Sequence, residues 1–428
     1  MAILSLTILF FNLTLTLMRN RDVPPYQSDT LALSLSQALK LALKKSPVAL
    51  EASASQLQSG VSLGQGFSNI LPTPVANLNS TRTELGTVWS GGITITQIVL
   101  EPSVYAGLVS AIVNCGYHSL DAREKTARLI YDVTTDYLNL LKAQLLLNAA
   151  QKALTQAEEN KKLTGERFRL GQATRLDLLR SEAFFSQAQL NLLSAEKAVV
   201  SARANLCASA GIEPDKTVWA NEELTEPAEI AIADPDSLLR LMEESNPSVR
   251  MAKKLRTVAG INLAASFSRV LPGISLYRSY EYSDTAIPRS YRHWQERINR
   301  TDGIRLTFPI VDIKSLLLDI GDALTGSRRA RAALARARLQ LYAAAQTAIL
   351  NYQEAKQRCE QAGHNLQLNR ELFDLAATQH RLGALSLADL LEVEVGLVQA
   401  EASYLSALCD TYIQAAQIGY LLGKSGLK

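Results

Sequence analysis

Two eleven-residue stretches, nearly alike, limit what this chain can fold into: Arg169-Leu170-Gly171-Gln172-Ala173-Thr174-Arg175-Leu176-Asp177-Leu178-Leu179 and Arg381-Leu382-Gly383-Ala384-Leu385-Ser386-Leu387-Ala388-Asp389-Leu390-Leu391. Each carries the signals of one helix ending and another beginning. Gly171 and Gly383 supply a residue able to take the left-handed conformation that closes a helix. Arg169 and Arg381 set a cation at the negative end of its dipole. Thr174 with Asp177, and Ser386 with Asp389, have the hydroxyl-x-x-acid spacing of a capping box, which opens the next helix. Tips of this kind, each flanked by long helical sequence, make a chain of antiparallel helical hairpins.

The tips belong to a duplication. Pro47 and Pro72 lie 25 residues apart (72 − 47), as do Pro247 and Pro272 (272 − 247). Gly171 and Gly383 differ by 212 (383 − 171), and so do Gly211 and Gly423, which close the returning helices (423 − 211). The offset grows from 200 to 212, so about twelve residues are added in the second half, in the loop Ser283 to Gly303. The chain divides into an N-terminal segment 1–30, a repeat 31–212, an irregular proline-bearing linker 213–236 and a second repeat 237–428.

Each repeat changes period along its length. Leu31 to Leu71 has helical spacing, with Leu35, Ala38, Leu39, Ala42 and Leu43. Ile93, Ile95 and Val99 then alternate with Thr94, Thr96 and Ile98, and Ile304, Leu306, Phe308 and Ile310 alternate with Arg305, Thr307 and Pro309. With partners near 73–83 and 274–282, these make β-hairpins at about 73–100 and 273–311, neither stable alone in water. Strands of this length with one apolar face and aromatic ends suit an outer-membrane barrel; a small soluble sheet capping a bundle is the other reading. Very long helices follow, from about Ser103 to Leu170 and from about Lys314 to Leu382, each about 100 Å at 1.5 Å per residue. The returning helices, about 174–210 and 386–422, are shorter, so the upper part of each long helix needs a segment of the Leu31 to Leu71 type beside it.

Composition narrows the function. The net charge is only +3, with no basic tail, which gives no reason to expect nucleic acid. The four His and four Cys are dispersed, without Cys-x-x-Cys or His-x-x-x-His, so neither a metal site nor a cofactor is expected. Phosphate loops, nucleophile elbows and clustered acid–base sets are lacking, which argues against an enzyme. The apolar run from Ala2 to Met18 reads as the core of a secretory signal peptide, though no Lys or Arg precedes it and no A-x-A-type site precedes Pro24.

Helix, β-hairpin, long helix, R-L-G tip and returning helix, written twice, resemble the TolC family of outer-membrane efflux channels from about Leu31 to Gly423. The two tips, the paired x-Pro…Leu-Pro segments, Thr96-Gln97 and Thr307-Phe308-Pro309 carry that resemblance. It implies a mainly α fold with transmembrane β-hairpins, in which three chains each give four strands to a trimeric 12-stranded β-barrel standing on an α-helical barrel. It implies a passive exit duct working with a periplasmic membrane-fusion adaptor and an inner-membrane pump, with no cofactor; a protein-secretion duct of the same fold is the nearest alternative. A soluble periplasmic coiled-coil scaffold is the alternative from another class, and it would place polar residues where the strands have Ile, Leu and Phe. By the same resemblance the tips Arg169, Leu170, Gly171, Thr174 and Arg381, Leu382, Gly383, Ser386 dock the adaptor, and Asp389 and Glu392 form an electronegative pore constriction. Both acids also have plain readings, as a helix cap and a solvated helix acid.

The four cysteines depart from the family habit. Cys359 and Cys409 lie 25 residues to either side of Ala384, level across an antiparallel hairpin, which makes a disulfide one expectation and two small core residues the other.

Overall fold

The computed structural model describes residues 30–83, 86–213, 217–221, 235–284, 298–309, 313–382 and 384–423. The apolar run read as a signal peptide, Ile310 and Gly383 lie outside the described residues. The first repeat comprises β1 (Thr30–Leu33), α1 (Leu35–Lys45), α2 (Pro47–Ser68), β2 (Thr73–Thr83), β3 (Gly86–Leu100), α3 (Pro102–Arg169) and α4 (Arg175–Ala210), followed by β4 (Thr217–Ala220). The second comprises α5 (Pro235–Ser245), α6 (Pro247–Ser268), β5 (Gly273–Asp284), β6 (Asn299–Thr307), α7 (Ile313–Arg381) and α8 (Leu387–Leu421). Between Asp284 and Asn299 lie 14 residues where the first repeat has 2, between Thr83 and Gly86, which accounts for the added twelve (14 − 2).

Proline writes the helix starts. Pro47, Pro102 and Pro247 each open a helix, where a missing N–H costs nothing. α1 starts with a full capping box between Ser34 and Gln37.

A helix of 68 residues needs support along its whole length, and α3 obtains it from two shorter helices set end to end. α4 runs beside its lower part, from the tip to Ala210, and α2 beside its upper part. The joint is tight: Gly211 has φ +67°, and a Cβ there would lie 2.7 Å from the Lys45 carbonyl oxygen. In the second repeat α8 and α6 meet in the same way against α7, and Gly423 has φ +65° with its Cβ position 2.8 Å from Pro247 Cδ. Asn246 stitches that joint, accepting from the amides of Ser248 and Val249 and donating Nδ2 to the Leu421 carbonyl at 2.9 Å. The result is one layer of helices, ordered α2, α3, α6, α7 above the joints and α4, α3, α8, α7 below them.

The core sits at the joints. Val133, Tyr137, Leu138 and Leu140 of α3 pack on Ala38 and Ala42 of α1, Leu206 and Ala210 of α4, and Val218 of β4. A second cluster joins Met242, Val249, Leu341, Ala345, Tyr352 and Ile418. Two sequence expectations change here. Leu31 and Leu33 belong to a strand rather than a helix, and the linker contains its parallel partner β4, paired Leu31 to Val218 and Leu33 to Ala220. The Tyr137 hydroxyl, wholly buried, donates to the Leu33 carbonyl at 3.0 Å and anchors this two-stranded patch on α3.

The cysteine pairing is also corrected. All four cysteines are thiols, and Cys359 is not bonded to Cys409. Thr411 Oγ1 donates to the Ala355 carbonyl, so the residue level with Cys359 is Ala407. Two further residues turn a helix by about 200°. Cys359 therefore lines the groove between α7 and α8, a cavity of about 840 Å³, while Cys409 is buried, its thiol pushed up to about 12, mainly by desolvation.

Burial raises two carboxyls of α3 near the joint, Asp132 and Asp136, and the second has a consequence for pH. Asp136 of α3 is held above the usual carboxylate range by desolvation, partly offset by a hydrogen bond from Ser209. Such a group favours the folded state fully below the ordinary unfolded pKa, and that contribution is lost as pH rises through the raised folded value. Asp136→Asn is therefore expected to raise the melting temperature at pH 8 and leave it unchanged at pH 4. An equal gain at both pH values would remove the titration argument.

Candidate channel wall and entrance

β2, β3, β5 and β6 form one antiparallel sheet in that order, uniting the two repeats, with β2 and β6 as edges. The register separates the faces by chemistry, one mainly apolar but interrupted by Arg82, Gln97, Arg278, Arg300 and Asp302, the other mainly polar. One face carries Ala76, Leu78, Trp89, Ile93, Ile95, Leu276, Tyr280, Ile304 and Leu306, with Ile93 set between Ala76 and Tyr280 and Leu276 beside Ile304. The other carries Thr73, Asn77, Asn79, Thr81, Ser90, Thr94, Thr96, Ser275, Ser279, Thr301 and Thr307. A bulge between Ile98 and Leu100 ends the alternation where β3 hands over to α3. On the polar face Tyr277 lies over Gly303, where a Cβ would come within 2.7 Å of its ring, and Arg305 covers the same ring at 4.8 Å. Strands of 9 to 15 residues with this alternation are long enough to cross a bilayer when tilted. No described helix is long and apolar enough to do so.

The opposite end of the layer is formed by the tips. At the first, the Gln172 amide donates to the Arg167 carbonyl at 2.8 Å and the Gly171 amide to Phe168 at 3.0 Å, with Gly171 at φ +72°. The Thr174 amide and hydroxyl both donate to the Asp177 carboxylate, at 2.9 and 2.6 Å, and hold that carboxyl below its usual range. The second tip repeats the closure: Ala384 N–H donates to the Gln379 carbonyl at 2.9 Å, and the Ser386 hydroxyl donates to Asp389 at 2.6 Å. Leu170 and Leu382 stand out from the two tips, 72% and 79% exposed, with Arg169 and Arg381 exposed beside them.

Asp389 and Glu392 are both exposed, one turn apart at the start of α8; the cap there is Ser386, which accepts from the Asp389 amide, while the Asp389 carboxylate only accepts the Ser386 hydroxyl, so the capping box expected from the sequence is half formed. At the constant offset of 212, Asp177 and Arg180 occupy the matching places on α4, so the acid pair belongs to the second tip alone.

The layer has unpaired long edges, which the sequence reading missed. On α4 the exposed residues Leu176, Leu179, Leu190, Leu193 and Val200 follow a three-four spacing opposite the buried Ser181, Ala188 and Val199. On α2, Leu50, Leu57 and Val61 do the same above the joint. On α7, at the other edge, Leu318, Leu339, Leu350, Leu368 and Leu375 share one side and are each half or more exposed. Their spacing was the available signal; which side packs inward was not. Among the described residues no group of three or more His, Cys, Asp or Glu could hold a metal ion.

Comparison with known proteins gives a consistent result. The family model described as outer membrane efflux protein matches residues 78–212 and 238–424. Among solved structures, the CmeC outer membrane channel of Campylobacter jejuni superposes with a TM-score of 0.75 at 16% identity, over 91% of this chain and 85% of that one. The outer membrane protein VceC of Vibrio cholerae gives a TM-score of 0.75 at 14% identity, over 91% and 96%. The open state of the MtrE outer membrane channel of Neisseria gonorrhoeae gives 0.72 at 18%, over 91% and 88%. No curated protein sequence matches significantly.

Proposed function

Because the chain belongs to the outer membrane efflux protein family, and with it to the outer membrane, we propose that it is the exit duct of a tripartite efflux system, passing small molecules out through a homotrimer. The observation that carries this reading is a sheet with one polar and one apolar face and two open edges, continuous with a helical layer whose own edges are apolar. Lipid does not tolerate an open sheet edge, so the four strands must be closed by other copies. Three copies give twelve strands (3 × 4), enclosing a lumen lined by Thr, Ser and Asn. In the same closure the α2 and α4 edge of one copy meets the α7 edge of the next.

The exposed leucines and arginines at the tips are the contact offered to a periplasmic adaptor, which links the duct to an inner-membrane pump. Asp389 and Glu392, repeated around the axis, form a ring of six carboxylates that favours cations.

The protein, expressed with a functional secretory leader, is expected in the outer membrane as a heat-modifiable trimer that conducts ions in planar bilayers. Recovery as a soluble elongated species would overturn the duct. In the same bilayers Asp389→Asn with Glu392→Gln is expected to lower the cation-to-anion permeability ratio severalfold, read from the reversal potential in a salt gradient. An unchanged ratio would remove the two acids from the constriction and leave Asp389 as a partner of the Ser386 cap.

A further inference from the structure

We infer that Arg305 is a binding residue for cargo bearing phosphate or carboxylate groups; the inference rests on the duct reading above. Repeated around the threefold axis, it forms a ring of three uncompensated guanidiniums on the lumen wall, at the inner end of the sheet. Arg305 stands on the polar face of β6, paired with Ser275 of β5, whose other partner is Ile98 of β3. It lies two residues from Thr307, where β6 ends and the chain passes on to α7.

Its neighbours hold it in place. Gly303 pairs with Tyr277, and a Cβ at Gly303 would come within 2.7 Å of the phenol, so glycine is what lets that ring lie across β6. The Arg305 guanidinium rests 4.8 Å from the ring centroid, a cation–π contact. It is exposed and enters no ion pair with a described residue. Covering the ring needs only an apolar side chain; a guanidinium adds charge and a planar fork of N–H donors that matches phosphate and carboxylate.

The charge stays uncompensated after closure. Among the described residues the polar face carries one other charge, Glu281, which pairs with Asn299. Asn299 is six residues along β6 from Arg305, about 20 Å at about 3.4 Å per residue, too far for an ion pair. Closure sets β2 of the next copy beside β6, and the polar face of β2 offers Thr73, Val75, Asn77, Asn79 and Thr81, without a carboxylate at any register. Twelve strands about 4.8 Å apart, tilted by about 40°, give a backbone radius of about 12 Å. Guanidiniums projecting inward from that wall bring the lumen axis within about one Debye length of all three, about 10 Å at about 0.1 M salt. Rings of arginine favour anions, so this end of the duct is opposite in sign to the acids proposed at the tips.

The test places the trimer in planar bilayers with tripolyphosphate added on the side of the sheet. It reads the reversal potential in a salt gradient and the tripolyphosphate concentration that halves the current. Arg305→Gln is expected to raise the cation-to-anion permeability ratio severalfold and to weaken the block about tenfold. Arg305→Lys, which keeps the charge but not the fork, is expected to preserve the ratio and to weaken the block by a smaller factor. Arg300→Gln, in the same strand on the opposite face, is the control and is expected to leave both readings unchanged. Both readings unchanged in Arg305→Gln, or changed as much in Arg300→Gln, would overturn the inference. An altered ratio with an unaltered block would reduce Arg305 to a background charge and overturn its binding role. A trimer that conducts nothing would instead overturn the duct.

Discussion

A chain carrying Leu190→Lys and Leu193→Lys is expected to fold and to remain monomeric when extracted from the membrane. Both leucines lie on the outer edge of α4, 59% and 64% exposed in the single chain, on the side turned away from α3. Burying each against a neighbouring copy is worth about 1.5–3 kcal/mol, and burying an unpaired ammonium in its place reverses the sign. A threefold ring repeats the loss at every interface, so assembly fails as a whole. Gln189→Lys, roughly a quarter-turn off the stripe, is the control and is expected to assemble. Mass by light scattering distinguishes the two; a trimer of the double variant would show that the α4 stripe is not the contact between copies.

The second large effect is expected at Gly211. Replacement by Ala imposes a left-handed backbone, costing about 1–2 kcal/mol, and drives a Cβ into the Lys45 carbonyl and the Ser46 Cα, 2.7 and 2.8 Å away. These are backbone atoms of the turn between α1 and α2, with no flexible side chain to yield, so overpacking adds about 1–3 kcal/mol. Gly171→Ala isolates the first cost, because φ is +72° there and nothing lies within 4 Å of the added atom. Chemical denaturation of both variants is expected to find Gly211→Ala about twice as damaging or more. Equal losses would mean that the α4–α2 joint opens without penalty.

These two glycines illustrate what the sequence made legible. A left-handed terminus followed by a hydroxyl and an acid is local chemistry, so both tips were readable from eleven residues each, and the 200 and 212 offsets carried the assignment to the other helices. β1 and β4 were not readable: each is four residues long, and their pairing spans nearly two hundred residues of chain. The cysteine expectation failed on register. Symmetric counting from the tip placed Cys359 opposite Cys409, whereas the closed turn and the Ser386 cap shift the pairing by two residues, enough to rotate one thiol into the core. Site function was least legible for Asp389, since a capping acid and a pore acid look the same until the tip's place in the assembly is known.

The end-to-end joints also give the layer uneven stiffness. α3 and α7 are unbroken rods, whereas α4 with α2, and α8 with α6, are columns cut at Gly211 and Gly423. Each cut interrupts a backbone hydrogen-bond ladder, so at that level the columns are held by side-chain packing and by the Asn246 bond instead of by a continuous helix. Below that level α4 is a lever of 36 residues, about 54 Å long. A swing of about 5° at the joint would displace its tip by about 5 Å.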